Sequence, residues 1–239
     1  MPSQLARRRR LGSQLWGDKR GRCTRKPRVS ITIDHLGMNT ALPTKALIQK
    51  TYNSAPTVHF TVFVMCTDKT SCCRAAMQEA KEIYHLNKAR IRLGVHSLPM
   101  HGSNKASEVE QFYNTALLHN GLSKIIGSQY MSLSYHGPQA GSSTNKVIPC
   151  YLEKYIRYAR SIKEDNGHDY DNLFIPIVFD SASIKRAKKI IDRNWQHCRT
   201  TTFFFHSHQL VGPTPQSRLF DHVVNGIKHG VYESFPFPR

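Results

Sequence analysis

The sequence predicts an α/β fold in which parallel strands carry helices on their outer side, as an open sheet or a barrel. Three observations predict it. Apolar runs of strand length alternate with helix-period segments along most of the chain, the mark of repeated strand–helix units. Asp and His recur just past the ends of those runs, where parallel α/β folds gather their functional groups. Finally, 239 residues, 39% hydrophobic and 21% charged, suffice to bury a core and lack the composition of a disordered chain.

The elements follow in order. Arg28–Ile33 reads as a strand and Thr44–Tyr52 as a short helix. Thr57–Cys66 is the strongest strand, rich in Val, Phe and Thr. Ser71–Leu86 is helical, with Ala76, Ala80, Ile83 and Tyr84 at three- and four-residue spacing. Arg90–Val95 is a strand. Ser107–His119 is a helix that Ser107 and Glu110 open as a capping box. Gln129–Tyr135 reads as a strand, Cys150–Lys163 as a helix and Leu173–Phe179 as a buried strand. Ser183–His197 is a helix with Ile184, Ala187, Ile190 and Ile191 along one side. Thr201–Phe205 is the sixth strand and Gln216–His229 the last helix. The divisions are a basic arm, 1–27, one domain over 28–235, and a Pro-rich tail, 236–239.

The chain carries 34 Lys and Arg against 16 Asp and Glu, a net charge of +18. That excludes an acidic, solvating protein and favours an anionic partner. Half of the excess lies in the arm, where Arg7, Arg8, Arg9, Arg10, Lys19, Arg20, Arg22, Arg25, Lys26 and Arg28 face only Asp18. Residues 7–28 could therefore engage nucleic acid or another anionic polymer. No run reaches the roughly 18–20 apolar residues of a membrane span, and the start is too polar for a signal peptide. The expectation is a protein without a transmembrane segment, with an intracellular location favoured. The six cysteines show no paired metal-ligand spacing and read as free thiols of a reducing compartment.

Candidate functional residues collect at the strand ends. The first strand runs into Asp34-His35, the third into His96 and His101, the fourth into Tyr135-His136, the fifth into Asp180 and the sixth into His206-Ser207-His208. His96-Ser97-Leu98-Pro99-Met100-His101 is the sharpest element, because neutral imidazoles suit a borderline-soft ion such as zinc. In Thr32-Ile33-Asp34-His35-Leu36-Gly37, two adjacent polar side chains leave a strand at a Gly-containing turn. One could bind metal and the other act as a base. Phe203-Phe204-Phe205-His206 projects a histidine from a deeply apolar strand.

The order of these motifs resembles the NodB-homology polysaccharide deacetylases, carbohydrate esterase family 4. Thr32–Gly37 stands where that family has T-F-D-D-G, His96–His101 matches H-[ST]-x-x-x-H, Tyr135–Gly141 falls at its R-x-P-Y-G-like loop, and Phe204-Phe205-His206 at its late L-x-H strand. The resemblance spans about residues 28–235. It implies a distorted, incomplete (β/α) barrel that hydrolyses acetyl groups on an N-acetylated sugar or polysaccharide, chitin- or peptidoglycan-like. It also implies one divalent metal ion, zinc before cobalt, nickel or iron. By the same resemblance Asp34 is the general base and His206 the general acid, with Asp180 orienting His206. His35, His96 and His101 are the metal ligands, and Tyr135, His136, Pro138 and Gln139 line the substrate site.

Two departures bear on that expectation. His35 replaces the family's metal-binding Asp, which makes the ligand set three imidazoles and removes one negative charge. The Arg by which the family supports its base is missing from the third motif, where Tyr135-His136 stand. The alternatives are a barrel that has kept its fold and lost turnover, or a nucleic-acid-binding protein acting through its arm.

Overall fold

The computed structural model describes residues 26–36, 41–66, 71–98, 106–134, 149–164 and 174–237. Within them the chain runs β1 (Arg28–Leu36), α1 (Ala41–Ser54), β2 (Phe60–Val64), α2 (Ser71–Leu86) and β3 (Ile91–His96). It continues through α3 (Glu108–Ile126), β4 (Met131–Ser134), β5 (Ile156–Glu164), β6 (Phe174–Ile177) and α4 (Ile184–Gln196). It closes with β7 (Thr200–His206), α5 (Pro215–Lys228) and the short β8 (Glu233–Ser234).

Every strand pair is parallel, in the order β6-β5-β4-β3-β2-β1-β7, with β8 beside the start of β1. The two ends of that order meet just past β6. There the Val178 N–H donates to the Thr202 carbonyl (2.8 Å) and its own carbonyl accepts from the Phe204 N–H (3.1 Å). The sheet thus curls into a barrel joined by one isolated bridge, the incomplete (β/α) barrel that the sequence implied.

Strand alternation sorts the side chains into two compartments. On β7, the Asn194 amide of α4 donates to Thr201 Oγ1 (3.1 Å), and Phe205 meets Phe220 of α5 edge to face at 5.2 Å. Odd-numbered positions of β7 therefore pack outward on the helices. Even-numbered positions turn inward, Phe204 among them. The outward compartment is the main apolar core, holding Val29, Ile31, Ile33, Phe60, Val62, Val64, Leu93 and Val95 under the helices. Because β2 is buried on both faces, it reads as a continuous apolar run. Three helices begin on side-chain caps. Ser107 and Glu110 form the expected capping box on α3, Ser183 caps α4, and Thr214 followed by Pro215 opens α5.

The inner compartment is unlike that core. Buried Ser30, Thr32, Asp34, Thr61, His96, Ser132, Ser134 and Arg160 line it, with an aromatic group of Phe63, Phe237 and Tyr158. Phe237 meets Phe63 edge to face at 5.8 Å, and its carbonyl accepts from Arg92 Nη1 at 2.8 Å. The segment 236–239, expected to be a tail, thus contributes a residue buried inside the barrel.

Two further expectations are corrected. The predicted helix Cys150–Lys163 is a 3₁₀ turn, Cys150–Leu152, followed by the nine-residue strand β5. Leu152, Tyr155, Ile156 and Ala159 mimic a helical stripe, but β5 forms ladders with β4 and β6 on its two edges, and that pairing overrides local pattern. The cysteines are not all free thiols: Cys66 and Cys198 are disulfide-bonded, while Cys150 is free and exposed. Disulfides persist in oxidising compartments, so the argument for a reducing one falls. Among the described residues no helix is long and apolar enough to cross a membrane.

Candidate functional site

The site is assembled at the C-terminal end of the barrel by the inward alternation of β1, β3, β5 and β7. Thr32 and Asp34 are two apart on β1 and share its inner face. Thr32 Oγ1 donates to the Phe203 carbonyl (2.8 Å), while Asp34, 2% exposed, points into the barrel. Across the β1–β7 ladder Asp34 is in register with His206. Two of the predicted site residues therefore stand side by side on adjacent strands.

Asp34 Oδ2 receives Nη2 of Arg160, a residue of β5 that is fully buried. Arg160 also reaches Thr32 Oγ1 at 3.5 Å, and its guanidinium lies 4.4 Å from the Phe204 ring centroid and 5.3 Å from that of Phe63. Burial pushes the Arg160 guanidinium down from its ordinary range, and the carboxylates of Asp34 and Asp180 oppose the shift. Two aromatic faces and two carboxylates thus compensate a cation held away from water. An arginine thus stands beside Asp34, contributed by β5 and not by the segment around Tyr135.

His96, the last residue of β3, is 1% exposed. Its Nδ1 lies 2.5 Å from Ser134 Oγ and 3.3 Å from the Ser134 carbonyl on β4, and Nε2 is 3.6 Å from Asp34 Oδ2. Asp180, just past β6, places Oδ2 3.2 Å from His206 Nδ1. His208 completes the rim, its ring centroid 5.4 Å from that of His206. Burial lowers the His208 pKa, His206 adds to the effect, and Asp180 opposes it.

The structure therefore brings Asp34, His96, Asp180 and His206 into one mouth. The backbone of His35 continues β1, but its side chain is not among those described. His101, Tyr135, His136, Pro138 and Gln139 lie outside the described residues, as do arm residues 7–25. Sequence reading missed Arg160 and Ser134. The signal for Arg160 was its place two residues after Tyr158, on the inner face of the segment once that segment is read as a strand.

Among the described residues no group of three His, Cys, Asp or Glu side chains surrounds a metal position. The donors that are described nevertheless fit a divalent ion. Ser134 fixes His96 through Nδ1, as the partners of ligating histidines commonly do, which turns Nε2 toward the carboxylate. Asp34 Oδ1 is buried with no hydrogen-bond partner among the described residues, which leaves a carboxylate oxygen open beside that ring for the water an ion would carry.

Strand-end carboxylates and imidazoles thus gather at one end of a parallel (β/α) barrel. Comparison with solved structures agrees on the fold. A peptidoglycan N-acetylglucosamine deacetylase is 13% identical, with 90% of this chain and 87% of that one covered at a TM-score of 0.50. A family 4 acetyl xylan esterase from Clostridium thermocellum, in complex with a cobalt ion, is 16% identical, with 87% of each chain covered and a TM-score of 0.48. A CE4 family pseudoenzyme from Bacillus anthracis is 13% identical, with 88% of this chain but only 63% of that one covered, at a TM-score of 0.45. No protein-family model matches the sequence, and no curated protein matches it. The chain shares the deacetylase barrel fold.

Proposed function

We propose that the protein is a metal-dependent hydrolase that removes acetyl groups from an N-acetylated sugar or polysaccharide of the chitin or peptidoglycan kind. The observation that carries this reading is the register of Asp34 with His206 on adjacent strands, one braced by Arg160 and the other by Asp180. That is a carboxylate and an imidazole held for paired proton transfers at one carbonyl.

Asp34 is the general base. Arg160 and His96 both lie on the side of Oδ2, which leaves Oδ1 to accept the proton of the attacking water. His206 is the general acid. Its Nδ1 faces Asp180, and Nε2 is the nitrogen assigned to protonate the leaving amine as the tetrahedral intermediate collapses to acetate. Asp180 positions that ring through the 3.2 Å contact to Nδ1. A divalent ion, zinc first, held by His96 together with His35 and His101, would polarise the acyl carbonyl and acidify water. Arg160 balances the buried charge of Asp34, so that the base keeps one orientation. The phenyl faces around it keep water out of the floor of the site.

The test is acetate release from N-acetylglucosamine oligomers and peptidoglycan fragments, after reconstitution with zinc, cobalt or nickel. The expected result is turnover in the wild type, with Asp34→Asn and His206→Gln each slower by about 10²–10⁴-fold and normally folded. Wild-type activity in Asp34→Asn would sink the mechanism. No acetate from any reconstituted form would overturn the enzymatic reading in favour of a barrel that has lost turnover.

A further inference from the structure

At the end of the barrel opposite Asp34 and His206, the surface forms an open cavity of about 720 Å³. Its wall comes from segments that precede strands: Lys26 ahead of β1, Thr57 and His59 ahead of β2, and Arg90 ahead of β3. Tyr232 and Phe235, flanking β8, complete it. Most of β1, roughly 20 Å of strand, separates this cavity from the rim, and no rim residue lines it.

The charge of the wall is one-sided. Arg90 Nη1 donates to the Thr57 carbonyl (3.2 Å) and to His59 Nε2 (2.7 Å). Among the described residues Arg90 has no carboxylate partner. Because His59 Nε2 accepts, its Nδ1 carries the proton and is a second donor. Burial, then Arg90 and Arg92, push His59 down to about 4, so the ring stays neutral in a positive local field. Lys26 Nζ lies 3.2 Å from where a Cβ on Gly230 would stand, so the glycine makes room for the ammonium group. Glu233, the carboxylate among the described lining residues, faces Arg28 at 3.4 Å.

We propose that this cavity binds a small anionic ester, a phosphate or sulfate on a ring-shaped body. Arg90 and Lys26 hold the oxyanion, His59 Nδ1–H adds a neutral donor, and Phe235 and Tyr232 border the ring. The volume lies within the range of small-molecule sites. A guanidinium with spare donors is the group best shaped for a phosphate or sulfate oxyanion. Nothing in the acetyl-transfer chemistry at the other end of the barrel requires this site.

The full chain is titrated by calorimetry with phenyl phosphate, phenyl sulfate and neutral benzyl alcohol. At least one ester binds with a Kd below about 1 mM and the alcohol does not, a difference that the charged hydrogen bonds account for. The preferred ester assigns the anion. Lys26→Met weakens binding about fivefold, and Arg90→Gln, checked for folding by its melting curve, about tenfold or more. Lys26 is exposed, and its variant is likewise checked for folding by its melting curve. No heat from either ester, or wild-type affinity in both variants, would overturn the proposal.

Discussion

Removing the Arg160 guanidinium while keeping its volume would leave the Asp34 carboxylate buried at 2% exposure with its strongest partner gone. A charge stranded in this way costs far more than the pair contributes, because its desolvation is no longer offset. Arg160→Met is therefore expected to lose about 3–5 kcal/mol in urea denaturation. The double variant Arg160→Met/Asp34→Asn, which removes both charges, should regain most of that loss. A double variant no more stable than the single one would mean that Arg160 acts through its packing on Phe63 and Phe204 instead. Asp34, His96, Asp180 and His206 were legible in the sequence because each sits at or just past the end of an apolar run. Arg160 was not. Its partners lie 126 and 128 positions away in the chain, and only barrel closure brings them together.

Among the elements, the inner face of β3 sets the tightest limits. A Cβ on Gly94 would stand 2.6 Å from Phe63 Cε1 on β2 and 2.9 Å from the Ser132 carbonyl on β4. One of these is backbone and cannot step aside, so the strand spacing around His96 depends on the missing methyl. Gly121 on α3 is the contrast. Its Cβ would meet Met77 Sδ at 2.6 Å, a flexible group that can swing away, and alanine suits a helix interior better than glycine. Gly94→Ala is expected to lower stability by about 1–3 kcal/mol, whereas Gly121→Ala changes it by less than about 1 kcal/mol in either direction. Melting curves of the two variants compare them directly, and equal losses would show that the contact at Gly94 relaxes. Element types were readable where pattern and context agree, as in β2 and α4. In β5 they conflict: its apolar residues fall at helical spacing, but its backbone groups are satisfied by β4 and β6. A single sequence does not display that pairing.

At the scale of the molecule, the rim site exists only when the barrel is closed, since its groups come from β1, β3 and β5, the turn after β6, and β7. A ligand that needs several of them binds the native state and not the unfolded chain, and so stabilises the protein by mass action. If His96 anchors a divalent ion, zinc at about 100 times its Kd adds roughly 2.7 kcal/mol, which for a domain of this size raises Tm by about 5–10 °C. Chelation should return Tm to its starting value. His96→Ala should abolish the shift, while Lys26→Met, at the far end of the barrel, should leave it intact. Elemental analysis of the same samples supplies the stoichiometry, independent of any substrate. The order of the motifs made the barrel, and the place of Asp34, His96 and His206 at its rim, readable in advance. The charge replaced at His35 was also visible, but its effect depends on the whole interior, where Arg160 already adds a cation beside Asp34. Arg160 engages Asp34 Oδ2 and offsets part of the negative charge that would attract a dication, so a Tm shift that appears only at millimolar zinc would point to that balance. Identical melting with and without metal, and none retained on purification, would remove the ion from the proposed reaction.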